Sequence, residues 1–166
     1  EFICLDEACG AWRDRSAKEL VEVSLPEGQA LYAAAKNKYL LNRIYREADV
    51  LISLPVLKTH SNAAVTGAVK NVGIGATPVN IYGASTARPG RVETIDHGGV
   101  RYGNLHDWIH DFYLCRPVDF AVMDGLTGME NGPTPVKPDP VSLRRKNTRC
   151  ILASRDAVAL DAIESL

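Results

Sequence analysis

The chain has 166 residues, of which 46% are hydrophobic and 23% charged, and its formal net charge is -1. This length suits one compact domain with its own core. The near-neutral balance gives no electrostatic reason to expect nucleic acid or an anionic membrane as a partner. No apolar run approaches the roughly 20 residues of a membrane-spanning helix.

The first and last residues fall inside predicted elements. The chain starts at Glu1, within a predicted strand, and stops at Leu166, within a predicted amphipathic helix. We therefore expect a single α/β domain over residues 1–166 that is a fragment of a longer protein. A targeting segment would lie outside such a fragment, so localisation stays open, with the cytoplasm as the default.

The four cysteines predict reduced, mostly structural thiols. Cys4, Cys9, Cys115 and Cys150 form no Cys-x-x-Cys pair, and their spacing fits neither a zinc site nor a ferredoxin cluster. The less favoured alternative makes Cys4 and Cys9 two ligands of a larger site.

The first third of the chain contains two predicted strands and one ambiguous segment. Residues 1–5 form a short apolar run, and residues 21–25 alternate apolar and polar side chains with a period of two. The pattern between residues 30 and 48 fits either a strand at 39–41 or a helix from about 42 to 48. We favour the helix.

A strand, a polar loop and a helix are predicted next. Residues 49–54 are apolar enough to be buried on both faces, as in a parallel sheet. Pro55 ends this run, and the polar cluster 58–62 follows. Ser61 or Asn62 is a suitable N-cap for a helix that continues through residue 72.

The second half of the chain alternates helices and strands in the same way. Its predicted elements, in order, are a helix, a strand, a second strand and a second helix, at 104–114, 118–123, 149–153 and from 157 onward. Long loops rich in glycine and proline separate them, at 73–103 and 126–140, and loops of that length tend to be functional.

This alternation predicts an α/β layered domain with a mainly parallel sheet flanked by helices. In open parallel sheets, ligands bind beyond the carboxyl ends of the strands. If the three strands are parallel, their polar ends should converge in one crevice. Those ends are Lys58-Thr59-His60, Asp124-Gly125 and Ser154-Arg155-Asp156.

The cluster after the first buried strand is a candidate anion receptor. A lysine beside the N–H groups of a helix N-terminus places charge and backbone donors in one direction. Lys58, Thr59, His60 and Ser61 fit that description. In the alternative interpretation Lys58 is solvated, and Thr59 and Ser61 only cap the helix. The segment is not a phosphate-binding P-loop, because no glycine-rich spacing precedes the lysine.

Several side chains could hold a metal or exchange a proton. His60 could act as a general base or metal ligand, with its tautomer set by Asp124 or Asp156. Asp124, Asp156 and His97, with Glu130, would offer oxygen and nitrogen ligands to a hard or borderline cation. Asp156 could equally serve the dipole of its helix.

Two further features have simpler interpretations. His106 and His110 share a helix face, yet we interpret them as surface histidines. Asp161 falls in the middle of a helix and needs a partner if buried; Arg155 or Lys58 would serve.

Four blocks resemble one family: LPVLKTH, GAVKNVGIG, RPVDFAVMDGLTGMENGP and ILASRDAVALDA. Their order and spacing, from Ala48 to Ala162, are similar to the uncharacterised domain-of-unknown-function family 362. Ser154 and Ala157 depart from the pattern, where glycine and proline are usual. The positions that the resemblance implicates are Lys58, Thr59, His60, Lys70, Asn71, His97, Asp124, Gly125, Gly132, Pro133, Asp156 and Asp161.

Members of that family are often fused to, or encoded beside, iron–sulfur ferredoxin modules. The resemblance therefore implies a ferredoxin-like partner, with any iron–sulfur cluster held in a segment outside this chain. No ferredoxin cysteine run occurs in these 166 residues.

Taken together, these patterns predict a Lys/His/Asp site that binds a small anionic ligand or a metal, with ferredoxin-linked redox chemistry implied by the resemblance alone. The alternatives are a non-catalytic binding or maturation module that partners an iron–sulfur protein, and a structural domain. The predicted catalytic residues are Lys58, His60 and Asp124; the predicted ligand-binding residues are Thr59, Ser61, Lys70, Asn71 and Asp156; and the predicted metal ligands are His97, Asp124 and Asp156.

Overall fold

The computed structural model describes residues 20–60, 62–85, 88–89, 105–132 and 144–166. The chain divides into two compact units. The first unit comprises Glu1–Asp49 and Gly73–Pro117, and the second comprises Val50–Val72 and Val118–Leu166. The expectation of a single domain stays a prediction.

Strands and helices alternate along the chain. The strands are β1 (Leu20–Val23), β2 (Tyr39–Asn42), β3 (Ile52–Ser53), β4 (Val56–His60), β5 (Ala64–Val65), β6 (Gly83–Ser85), β7 (Arg88–Pro89), β8 (Phe120–Glu130), β9 (Arg144–Lys146) and β10 (Cys150–Ser154). The helices are α1 (Arg43–Glu47), α2 (Gly67–Gly75), α3 (Val79–Tyr82), α4 (Leu105–Cys115) and α5 (Ala157–Glu164), with a 3-10 turn at Ala33–Ala35.

The first unit is built around an aromatic core on α4. Trp108 is fully buried, and its ring contacts Tyr32, Tyr82 and Phe112 at centroid distances of 5.2, 4.8 and 5.6 Å. Such ring pairs add to the free energy gained from burial alone. The helix predicted at 104–114 from its apolar stripe is confirmed.

Residues 39–48 contain both of the elements that the sequence allowed, a strand followed by a helix. Residues 39–42 form β2, which pairs antiparallel with β1. Asn42 then caps α1, because its side chain accepts the N–H of Ile44 at 3.1 Å.

The sheet of the second unit is centred on β8. This strand runs parallel to β3 and β4 and antiparallel to β9 and β10, while β5 pairs antiparallel with β4. Helix α5 packs on β8 and β10. The Ser53 hydroxyl donates to the carbonyl oxygen of Ala68 at 3.1 Å and so ties α2 to β3. The α/β class, with helices flanking the sheet, is confirmed.

The polar segment after Pro55 is a strand and not a loop. Pro55 interrupts the pairing with β8 without ending it, since its carbonyl still accepts the N–H of Asp124 at 2.9 Å. Residues 64–65 then fold back on β4 as β5. The helix consequently begins at Gly67, and the predicted start after Ser61 or Asn62 is wrong.

The predicted boundary at Asp124-Gly125 is also wrong. β8 continues to Glu130, because β9 and the end of β4 supply hydrogen-bonding partners for a stretch that reads as a loop. The predicted strand at residues 1–5 lies outside the described residues.

Candidate functional site

Two parallel strands of the second unit end side by side. Lys58 on β4 is in register with Met129 on β8, so the carboxyl ends of these strands meet at one edge of the sheet. A pocket of about 530 Å³ lies at this edge. It is lined by Thr59, His60, Glu130, Asn131 and Gly132. This is the place where open parallel sheets generally bind ligands.

His60 is the buried imidazole of the pocket. The side chain is 5% exposed, and its Nδ1 accepts the N–H of Asn62 at 3.1 Å. An acceptor at Nδ1 places the proton of the neutral ring on Nε2. The tautomer is thus set by a backbone N–H group. The sequence had instead suggested Asp124 or Asp156 for this role.

The far wall of the pocket depends on a close backbone approach. The N–H of Gly132 donates to the Thr59 hydroxyl at 3.3 Å. A Cβ at Gly132 would lie 2.7 Å from the Thr59 carbonyl oxygen, so only glycine fits there. Asn131, just before it, has a φ of 59°, a left-handed conformation that asparagine tolerates better than most residues.

Glu130 brings a negative charge to the same wall. Its Oε1 lies 3.1 Å from Nζ of Lys146 on β9, and both side chains are about half exposed. The ion pair partly neutralises the carboxylate, so the pocket is polar without a strong negative potential.

Lys58 and Lys70 lie within electrostatic range of each other. Lys70, on α2, is half-buried. Burial and the positive charge of Lys58 lower the pKa of Lys70 from 10.5 to about 8. The sequence left open whether the two lysines lie near each other, and the effect of the Lys58 charge on Lys70 indicates that they do. We call these two residues the lysine pair.

The N-terminus of α2 is occupied by a carboxylate of the chain itself. Asp161 accepts the N–H groups of Ala68 and Val69 at 2.5 and 2.9 Å. Burial raises the pKa of this carboxyl, and the two hydrogen bonds oppose the rise. The predicted partners of Asp161, Arg155 or Lys58, are therefore replaced by backbone donors, which favour negative charge at a helix N-terminus.

Gly67 makes this contact possible. Its φ is 51°, and a Cβ at this position would overlap the Asp161 carboxylate. A side chain would thus be excluded both by conformation and by space.

Glu164 lies beside Asp161 and Lys58. Its Oε1 accepts the N–H of Lys58 at 2.8 Å. Its Oε2 is buried and has no hydrogen-bond partner in the part of the chain that the structure describes. Burial raises the pKa of Glu164 to about 7; the N–H of Lys58 opposes this rise, and the charge of Asp161 adds to it.

Glu164 was missed by the sequence. The only signal was its spacing of three residues from Asp161, which puts both carboxylates on one helix face. A pKa near neutrality in a polar cluster is typical of functional sites.

Asn71 and Ser53 position α2 on the sheet. The Asn71 side-chain amide donates to the Ser53 hydroxyl at 3.1 Å, and that hydroxyl donates to the carbonyl of Ala68. The predicted ligand-binding residue Asn71 therefore holds the helix that carries Lys70. Ser61 lies outside the described residues.

Asp124 and Asp156 do not join the pocket. Asp124 is in register with Val56, before the end of β4, and its carboxylate accepts the N–H of Leu126 at 2.9 Å. Asp156 caps α5 by accepting the N–H of Ala159 at 2.9 Å.

The predicted convergence of three strand ends is wrong, because β10 is antiparallel to β8. Ser154 lies opposite Ala121 near the start of β8, so the polar end of β10 is at the other edge of the sheet.

The predicted metal set is not assembled in the described residues. His97 lies outside them, Asp124 lies within β8, and Asp156 follows the end of β10. Within residues 20–60, 62–85, 88–89, 105–132 and 144–166, no group of three His, Cys, Asp or Glu side chains is placed to hold a metal ion.

The first unit contains a buried carboxylate of a different kind. Asp111 is fully buried and accepts hydrogen bonds from the backbone N–H groups of Leu31 and Tyr32, the Tyr39 hydroxyl and His110 Nδ1. Burial alone would raise its pKa, but these bonds outweigh burial and hold the pKa below its usual value. Sequence reasoning missed this role, since Asp111 only interrupts an apolar helix pattern.

The described cysteines are thiols, one buried and one half-buried. Cys115 and Cys150 are free, and burial raises the pKa of Cys115 to about 12, which makes it unreactive. Cys4 and Cys9 lie outside the described residues. No helix in the described ranges is both long and apolar enough to cross a membrane.

The fold and the pocket define an α/β layered domain with a polar cavity where two parallel strands end. By sequence, the chain belongs to the family described as domain of unknown function (DUF362), whose profile matches residues 5–165. The motif resemblance is thereby confirmed. No curated protein and no solved structure matched the chain.

Proposed function

We propose that this protein binds a small organic anion, with the lysine pair holding the anionic group and the His60 pocket accommodating the rest of the ligand. The observation that carries the proposal is that Lys58, near the carboxyl end of β4, lies close enough to Lys70 on α2 for its positive charge to act on Lys70. An anion between two lysines is a common arrangement in phosphate and carboxylate sites.

The electrostatics of the lysine pair support anion binding. Burial disfavours the charged form of Lys70, and repulsion by the positive charge of Lys58 adds to this effect, so the pKa of Lys70 falls to about 8. A bound anion would remove this repulsion. The nearby carboxylates compensate only in part, because Asp161 is committed to the N-terminus of α2 and Glu164 titrates near neutral pH.

The spacing along β4 supports a ligand that extends into the pocket. Residues two apart on a strand are separated by about 6.6 Å, so one small molecule can reach from Lys58 to His60. In an enzyme, His60 would exchange a proton through Nε2, and the lysine pair would stabilise negative charge that develops on the ligand. A ferredoxin-like partner stays a prediction of the family resemblance.

Isothermal titration calorimetry with inorganic phosphate and with malonate at pH 7.5 tests the proposal. We expect saturable binding of at least one anion, weakened at least tenfold, or about 1.4 kcal/mol, in Lys58→Ala and in Lys70→Ala. Lys38→Ala is the matched control. Lys38 is 64% exposed and pairs with Glu22 on the surface of the first unit, so its removal should leave binding unchanged. Absence of binding to both anions, or affinities within twofold of wild type in both lysine variants, would overturn the proposal.

A further inference from the structure

One face of the second unit's sheet is apolar and exposed. The registers of β3, β4 and β10 against β8 align the side chains on this face in rows across the strands. One row contains Val56, Asp124 and Ile151, and Ile52 stands beside Phe120 four residues earlier. Ile52, Leu54, Val56 and Ile151 are 51%, 70%, 43% and 62% exposed. We call this surface the bare face.

The opposite face of the same strands is buried. Ser53, Ala121 and Met123 alternate with the residues of the bare face and are at most 1% exposed. Helices α2 and α5 pack on the sheet, and α2 is bonded to Ser53 itself. An exposed apolar patch that is continuous across neighbouring strands marks an interaction surface.

Two opposite charges mark the two ends of the bare face. Asp124 lies between Val56 and Ile151 at one end. At the other end, Ser154 is the last residue of β10 and pairs with Ala121, and Arg155 follows it directly. Both charged residues are exposed. Their rows are four residues apart, or about 13 Å along the strands.

We propose that the bare face is a homodimer interface in which two copies of the chain pack sheet on sheet. The two-fold axis would lie between the sheets and run across the strands. This rotation places the Asp124 end of one copy over the Arg155 end of the other. The same acid–base pair then forms twice, as an isologous interface requires.

The charge pattern distinguishes a second copy from other occupants. A face with one acid and one base at opposite ends is complementary to itself after a two-fold rotation, without any further partner. A purely apolar face would give no such preference. The exposed aliphatic groups amount to on the order of 500 Å² per copy, at the low end of specific interfaces, so the dimer should be of micromolar strength.

Sedimentation velocity of the full chain from about 1 to 200 μM tests this inference, since a weak interface populates monomer and dimer in that range. Wild type should show a concentration-dependent monomer–dimer equilibrium. Ile151→Asp should raise the dimer dissociation constant at least tenfold. Val158→Asp is the matched control: Val158 is also 62% exposed but lies on α5, away from the bare face, so its effect should stay within twofold. Thermal melting checks that each variant is folded, and a folded Leu54→Lys replaces Ile151→Asp if that variant is not.

A charge swap tests the proposed pairing. Asp124→Arg and Arg155→Asp should each weaken the dimer, and the double variant should recover it to within about threefold of wild type. A wild-type chain that remains monomeric at the highest concentration would overturn the inference. So would a dimer that resists Ile151→Asp, or a double variant no stronger than the single ones.

Discussion

The two units contain buried acids that differ in their hydrogen bonding and in the direction of their pKa shifts. In the first unit, Asp111 is fully enclosed and accepts hydrogen bonds from four residues, and its pKa lies below the usual value. In the second unit, Glu164 is half-buried, one of its oxygens has no partner among the described residues, and its pKa is raised to about 7. The residue types are nearly the same, but the environments are not.

This difference separates a structural carboxylate from a candidate functional one. A charge with every hydrogen bond satisfied is fixed in one state and stabilises its surroundings. A carboxylate that is only partly satisfied and titrates near neutral pH can change its charge under ordinary conditions. Lys70, with a pKa of about 8, belongs to the second kind. The following variants test this contrast.

The largest effect is expected at the contact between Gly67 and Asp161. Gly67→Ala adds a Cβ that overlaps the Asp161 carboxylate at a φ of 51°, and should cost about 4 kcal/mol of unfolding free energy. Gly28→Ala is the control in the first unit. Its φ of 79° is equally left-handed, but nothing lies within 4 Å of the new Cβ, so the cost should be about 1 kcal/mol. Urea denaturation measures both, and equal costs would contradict the crowding at Asp161.

The next effect separates the two acids directly. Asp111→Asn replaces an acceptor by an amide donor among groups that all donate, and should cost about 3 kcal/mol at pH 7. Glu164→Gln keeps an acceptor for the N–H of Lys58 and should cost little or stabilise at that pH. Chemical denaturation of both variants tests the contrast. If Glu164→Gln lost as much unfolding free energy as Asp111→Asn, the proposed contrast between the two acids would be contradicted.

A smaller effect should depend on pH. The folded pKa of Glu164 is raised from 4.5 to about 7, so the stability that it contributes is fully present below pH 4.5 and is lost as the pH rises through 7. Glu164→Gln lacks this loss. The variant should therefore gain about 1 kcal/mol on wild type between pH 4.5 and pH 8, once partial exposure is allowed for.

Urea denaturation at pH 4.5 and pH 8 measures that gain. Asp111 and Lys70 are present in both proteins, so their own contributions cancel in the difference. A constant difference between the two proteins across the range would contradict the raised pKa of Glu164.

Sequence periodicity correctly predicted the elements whose structure depends on residues close together in the chain. The apolar stripe of α4 and the buried start of β8 follow from periodicity within the segments themselves. Thr59 and His60 were correctly placed at a strand end of an α/β sheet, and they line the pocket. The partners opposite them, Glu130 to Gly132, were read as a loop, because the pairing that makes 126–130 a strand is non-local.

The features that could not be predicted from the sequence depend on strand direction and on tertiary contacts. Nothing local distinguishes a parallel β10 from an antiparallel one, and that choice moves Asp156 to the other edge of the sheet. The roles of Asp111, Asp161 and Glu164 likewise come from donors distant in sequence. Side chains whose neighbours are assembled by the fold carry no signal in their own segment.

The measurement that tests the proposed function most directly is an NMR titration of the Lys70 side-chain resonances, without and with inorganic phosphate. The free protein should show Lys70 titrating near pH 8, and Lys58→Ala should raise that value toward 10.5. Phosphate should raise it in a saturable way, because a bound anion favours the charged ammonium. If Lys70 titrates near 10.5 in the free protein and saturating phosphate leaves it there, the lysine pair is not an anion site.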